Sequence, residues 1–188
     1  MNKNFYSMVQ NNPIIAAVNS LDKLDKAIKS PCEIIFLLTG NIMNLKGIVE
    51  KVKNSDMSIY VHLDLMGGLS KDVSAIKYIG SNIKPDGIIT TKSNLVKYAK
   101  EQGIFTIQRL FILDSLSLET GVESIISTKP DAIEILPGIM PKITSLVHEK
   151  TRIPIITGGL IKEKEDVINS LNAGAIGIST STEKVWYV

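Results

Sequence analysis

The sequence is poor in the residues that most directly advertise chemistry. One cysteine, Cys32, and two histidines, His62 and His148, stand among 188 residues. A lone cysteine excludes a disulfide framework and a cysteine-rich zinc centre. His, Asp and Glu show no metal-ligand spacing, and neither a nucleophile–base pair nor a cofactor fingerprint is present. The expectation is no metal, no cofactor and no catalytic residue. Charge of neither sign dominates: 21 Lys and Arg oppose 19 Asp and Glu, a net charge of +2. That balance excludes a global basic field of the kind that marks a constitutive nucleic-acid binder. No apolar run approaches the roughly 18 residues of a membrane-spanning helix. The N-terminus, Met1-Asn2-Lys3-Asn4-Phe5, lacks the apolar core of a signal peptide. A soluble cytoplasmic protein with no membrane partner is expected.

What is there is apolar material in short pieces. At 44% hydrophobic residues the chain is far from disorder and has enough for a core. Eight runs recur: Ile14–Val18, Ile34–Leu38, Ile59–Leu63, Gly87–Thr90, Ile104–Leu110, Ala132–Leu136, Ile153–Thr157 and Ala175–Ser179. They are rich in isoleucine and continuous rather than alternating, as parallel strands covered on both faces are. Amphipathic segments lie between them, such as Leu21, Leu24 and Ile28, or Val167, Ile168 and Leu171. Gly103 and Gly174 mark helix ends. Strand starts about 18 to 28 residues apart suit a βα unit. Eight units predict a compact (β/α)₈ TIM barrel, a single domain over residues 1–188, whose eighth helix is a stub at Glu183–Trp186. An open doubly wound sheet is the competing fold. The glycine fingerprint it normally carries after the first strand is replaced here by Asn19-Ser20.

Polar residues inside apolar strands need a reason. Tyr60, His62 and Asp64 share one parity, and a charged Asp64 suits the barrel mouth at the strand's C-terminal end. Thr90 and Lys92, Gln108 or Arg109, and Glu134 occupy corresponding places in the next three units. Barrels of this class build their sites at that end. The bland alternative is a set of buried ion pairs closing the barrel. His62 reads as a hydrogen-bonded residue of a barrel layer, His148 as surface, and Cys32 as structural. Asp114 reads as a helix N-cap.

The sharpest signal is for an anion. Thr157-Gly158-Gly159 ends the seventh run and Ser179-Thr180-Ser181-Thr182 the eighth. Phosphate sites in this fold use the loops after strands seven and eight and a short helix start. Glycines admit the anion close to the backbone, and hydroxyls add donors. A tight turn with a helix N-cap is the alternative reading. Met66-Gly67-Gly68 forms a second glycine-bearing loop.

Several blocks together resemble a known family. They are Val61-His62-Leu63-Asp64-Leu65 with Gly67-Gly68-Leu69, Pro85–Lys92, Gln108-Arg109-Leu110-Phe111, Glu134-Ile135-Leu136-Pro137-Gly138, Thr157-Gly158-Gly159, and Gly174 through Trp186. In this order they resemble the glycerol-3-phosphate-responsive antiterminators, from about residue 13 to the C-terminus. The resemblance implies a regulator rather than an enzyme. It would bind glycerol 3-phosphate and then act on the mRNA leader of glycerol-catabolic genes. It places the phosphate on Gly158, Gly159, Ser179, Thr180 and Ser181, and the glycerol hydroxyls on Asp64 and Glu134. Lys92 or Arg109 would add charge-assisted bonds. Lysine groups on the first, second and fourth helices read as solvated faces, so RNA binding rests on the resemblance alone. A homo-oligomer stays open. The competing function is a small barrel enzyme acting on a phosphorylated three-carbon or sugar substrate, with Asp64 or Glu134 as general base.

Overall fold

A computed structural model describes residues 4–188. Met1, Asn2 and Lys3, part of the segment read for a leader peptide, lie outside the described residues. The eight strands are β1 (Ile14–Val18), β2 (Ile34–Leu37), β3 (Ser58–His62), β4 (Gly87–Thr90), β5 (Phe105–Phe111), β6 (Ala132–Leu136), β7 (Ile155–Gly158) and β8 (Ala175–Thr180). All neighbours pair in parallel and β8 returns to β1, which closes the barrel. The helices outside it are α2 (Leu24–Ile28), α3 (Leu45–Lys53), α4 (Val73–Tyr78), α5 (Ser93–Glu101), α6 (Ser115–Thr128), α7 (Pro141–Thr151) and α8 (Lys164–Asn172). The eighth connection is a single 3₁₀ turn, Glu183–Tyr187, as the short sequence requires. Its Trp186 is fully buried and donates from Nε1 to the Thr180 carbonyl at 2.8 Å. Cys32 is buried beside the Trp186 carbonyl, and burial pushes its thiol pKa up.

One helix precedes the barrel. Asn4 caps α1 (Phe5–Asn11) by accepting from the Tyr6 amide, and α1 buries Phe5, Met8 and Val9. These residues join Ile15, Phe36, Tyr60, Ile89, Ile107, Ala132 and Ile156 in one apolar cluster, the interior of the barrel. Most of the remaining apolar strand residues face the helices. Register explains the interior layering. Tyr60, Gly87 and Phe105 lie side by side near the strand starts. Arg109 lies beside Glu134 near the strand ends. A Cβ at Gly87 would fall 2.6 Å from the Tyr60 ring and 2.7 Å from the Phe105 carbonyl, so the glycine makes room for the aromatic layer.

The barrel is thus apolar at its base and middle, and polar only at its mouth. Helix caps anchor the mouth's loops. Asp114 accepts from the Ser117 amide and forms a reciprocal capping box at the start of α6, the N-cap its sequence position predicted. The glycine loop after β3 is tied to the loop after β2: Gly67 donates to the Gly40 carbonyl at 3.0 Å, and its own carbonyl accepts from the Ile42 amide at 2.9 Å.

Candidate functional site

The strand ends of β1, β2, β5, β6, β7 and β8 enclose a cavity of about 280 Å³. Its depth is set by a buried ion pair. Arg109 Nε donates to Glu134 Oε2 at 2.6 Å, with both side chains almost wholly buried. Adjacent strands in register bring the two together. Glu134 Oε1 is buried and has no hydrogen-bond partner among the described residues. Gly158 permits that arrangement, because a Cβ there would lie 2.9 Å from Oε1. An ion pair with one carboxylate oxygen left open, at the floor of a cavity, is a poor stabiliser and a good acceptor for a ligand hydroxyl.

The wall is a knit of three loops. After β7 the chain turns sharply through Gly159 (φ 73°) and Leu160 (φ 62°), both left-handed. Leucine rarely adopts that conformation, and strain of this kind gathers at binding sites. The Gly159 carbonyl accepts from the Gly138 amide at 3.0 Å. The Ile161 carbonyl accepts from the hydroxyls of Thr180 at 2.9 Å and Thr182 at 3.0 Å. Ser179 and Ser181 also line the cavity, and their hydroxyls make no hydrogen bond among the described residues. Lys162 stands in the lining, and Lys23 reaches the Ser181 carbonyl at 3.5 Å. The cavity therefore offers positive charge at floor and rim, open hydroxyls and one open carboxylate oxygen.

Beside it stands His62, inward-facing and 2% exposed, with Nδ1 unpartnered. Burial, and then the Arg109 charge, hold its pKa down to about 4, so the ring is neutral. The sequence pointed to a hydrogen-bonded layer histidine. The layer position is correct, but the bond at Nδ1 is missing because the inward neighbours on β4 and β5 are apolar: Ile89 beside it and Ile107 beyond.

A family model for glycerol-3-phosphate responsive antiterminators matches residues 14–186. The chain belongs to that family. A crystal structure of a glycerol uptake operon antiterminator regulatory protein from Listeria monocytogenes has a TM-score of 0.91 and 35% identity, covering 94% of this chain and 95% of that one. A crystal structure of a glycerol uptake operon antiterminator-related protein from Thermotoga maritima has a TM-score of 0.82 and 32% identity, covering 92% of this chain and 96% of that one. The Escherichia coli K12 protein YgcP is 42% identical over 179 residues, 95% of this chain and 94% of that protein.

The barrel gathers some of the sequence candidates and separates others. Arg109, Glu134, Gly159, Ser179, Thr180 and Ser181 all line the cavity, and Gly158 abuts its floor. Thr180 lies on the outward parity of β8, so its hydroxyl braces the Ile161 carbonyl rather than facing inward. Gln108 is turned away from the mouth. It accepts from Thr128 at 2.6 Å and donates to Ser124 at 2.8 Å, both on α6. The period of two puts Gln108 and Arg109 on opposite faces, and the register selects arginine.

Asp64 does not belong to β3. The strand ends at His62, and Asp64 falls in a 3₁₀ turn, Leu63–Leu65, so its expected parity does not apply. Its carboxylate accepts from Thr90 Oγ1 at 2.9 Å and from the amide and hydroxyl of Thr91 at 2.7 and 2.8 Å. Burial pulls its pKa up, but these bonds outweigh burial and hold it below the ordinary value. Lys92 is exposed at the start of α5 and makes no side-chain cap. Neither Asp64 nor Lys92 lines the cavity. Sequence reasoning passed over Lys162 and read Lys23 as part of a solvated helix face. Their signal was their closeness in the chain to the seventh and first strand ends. Among the described residues no His, Cys, Asp and Glu group could hold a metal, and no helix is long and apolar enough to cross a membrane.

Proposed function

We propose that the mouth cavity binds glycerol 3-phosphate and that the loaded protein acts in the cytoplasm as an RNA-binding antiterminator on an mRNA leader. The observation that carries the ligand reading is Glu134 Oε1, a buried and unpartnered acceptor beside the Arg109 guanidinium. Glu134 accepts a hydroxyl of the glycerol. Arg109 and Lys162 neutralise the phosphate, and Gly158, Gly159, Ser179 and Ser181 hold it with backbone and hydroxyl donors. Thr180 keeps the loop in shape. Asp64 and Lys92 act from outside the cavity: Asp64 fixes the loop after β4, and Lys92 adds positive charge at the rim.

Titration calorimetry with glycerol 3-phosphate, glycerol and inorganic phosphate tests this. Glycerol 3-phosphate binds best, and Glu134→Gln weakens it by about tenfold or more, since a lost hydrogen bond to a charged group is worth about 1.5–3 kcal/mol. No heat with millimolar glycerol 3-phosphate overturns the reading. A gel shift with a terminator-bearing leader RNA, with and without the ligand, tests the second half. The enzymatic alternative would need steady turnover of a phosphorylated three-carbon or sugar substrate that Glu134→Gln abolishes.

A further inference from the structure

A second cavity lies at the opposite end of the barrel. An open cleft of about 680 Å³ runs below the starts of β3, β4 and β5. Lys53, Lys77 and Lys84 line it, and the Tyr60 and Phe105 rings lie within it. A smaller hollow continues past Gly103 and Phe105 to Lys100 and Asp131. Five of the aromatic residues, Phe5, Tyr6, Phe36, Tyr60 and Phe105, gather here with ring centroids 5.0–6.0 Å apart. Tyr6 is 38% exposed and Phe105 is half-buried, so the aromatic layer reaches the surface.

The acids of this cleft are already engaged. Asp86 accepts from the Ile59 amide at 2.9 Å and pairs with Lys53 at 3.4 Å. Asp131 accepts from the amide and hydroxyl of Thr106, both at 2.8 Å. Lys77 and Lys84 make no ion pair among the described residues. Lys84 also holds a left-handed backbone (φ 56°), where glycine is favoured. The mouth contrasts with this. Three of its helices start on the carboxylates Asp72, Asp114 and Glu163, and its rim exposes Met43, Leu113 and Leu116.

We propose that the basal cleft is the RNA-binding surface: single-stranded RNA lies along it, with phosphates on Lys77, Lys84 and Lys100 and bases against Phe105 and Tyr6. A basic rim with aromatic rings beside it is the arrangement that binds single strands. This rests on the antiterminator reading above. It places ligand and RNA at opposite ends of β5, where Phe105 lies in the cleft and Arg109 in the mouth, about 13 Å apart along an extended strand. β5 is then the element through which occupancy of one end biases the other.

Fluorescence anisotropy with a labelled single-stranded RNA of about 20 nucleotides at low salt, with and without glycerol 3-phosphate, tests the assignment. Lys77→Glu, Lys84→Gly and Lys100→Glu combined should weaken binding by about tenfold or more. The combination should also lower the slope of log affinity against log salt by about 2, since each lost phosphate contact removes about 0.7. Lys46→Glu with Lys142→Glu, at the mouth end, should leave affinity within about twofold. Photocrosslinking of the unaltered protein to 4-thiouridine RNA should label peptides containing Tyr6 or Phe105, which keeps the test independent of variant folding. Normal RNA binding by the triple variant, or crosslinks confined to the mouth loops, overturns the cleft and leaves the antiterminator reading standing. Failure of the unaltered protein to bind RNA in either ligand state overturns both. Equal affinity for a duplex of the same length overturns the stacking of bases.

Discussion

Arg109 and Glu134 hold each other in place at the floor of the mouth, and among the described residues neither has another charged partner at hydrogen-bond distance. Removing one leaves the other charged and buried. Arg109→Met should cost about 3–5 kcal/mol in urea denaturation, while Arg109→Met with Glu134→Leu should recover most of it. If the single and double variants are equally unstable, the pair is not the source of the loss. Gly87 is the counterpart at the base. Gly87→Ala forces a methyl against the Tyr60 ring and the Phe105 backbone and should cost about 1–3 kcal/mol by the same assay. The polar mouth residues were legible because charge in an isoleucine-rich strand is conspicuous. The choice between Gln108 and Arg109 was not, since adjacent residues differ only in parity and the parity is fixed by pairing with β6. Asp64 misled for the related reason that a period of two says nothing about where the strand stops.

The elements followed from their apolar content more closely than their ends did. Eight continuous runs became eight strands with boundaries moved by a residue or two. Gly103 and Gly174 do stop helices, with φ of 68° and 97°. Helix α1 went unread, although Asn4 as cap and Phe5, Met8 and Val9 at helical spacing carried its signal. Like Lys84, two further helix ends lack the glycine that the geometry favours. Lys129 after α6 and Arg152 after α7 are both left-handed, at φ 48° and 54°. Lys129→Gly and Arg152→Gly should each raise stability by about 1 kcal/mol, read as an upward shift in Tm. A fall in Tm would show that the cation's interaction with the helix end outweighs the backbone strain.

For the whole molecule, the acid limb of stability should carry the mark of His62. Its folded pKa of about 4 lies below the ordinary 6.5 of the unfolded ring. The folded state therefore binds fewer protons than the unfolded state between those values. Stability is full above about 6.5 and declines as pH falls towards 4, by about 3 kcal/mol at most. Arg109, Asp64 and Lys71 are the charges that act on the ring, and only Asp64 favours its protonation. His62→Gln should flatten Tm between pH 6.5 and 4, and an unchanged slope would assign the acid loss elsewhere. The basal cleft was invisible at this scale. Lys53, Lys77, Lys84 and Lys100 come from three separate segments, and only the closed barrel puts them beside one aromatic layer.

Closure itself has a consequence for how the protein is made. The first strand pairs with the last, and the Pro13 carbonyl accepts from the Ile178 amide at 2.8 Å. Lys26 pairs with Glu183 across the same seam. On the ribosome, β1 emerges before β8 and waits with one edge bare until β8 has cleared the exit tunnel. Both ends of the barrel, mouth and base, are completed in that one late event.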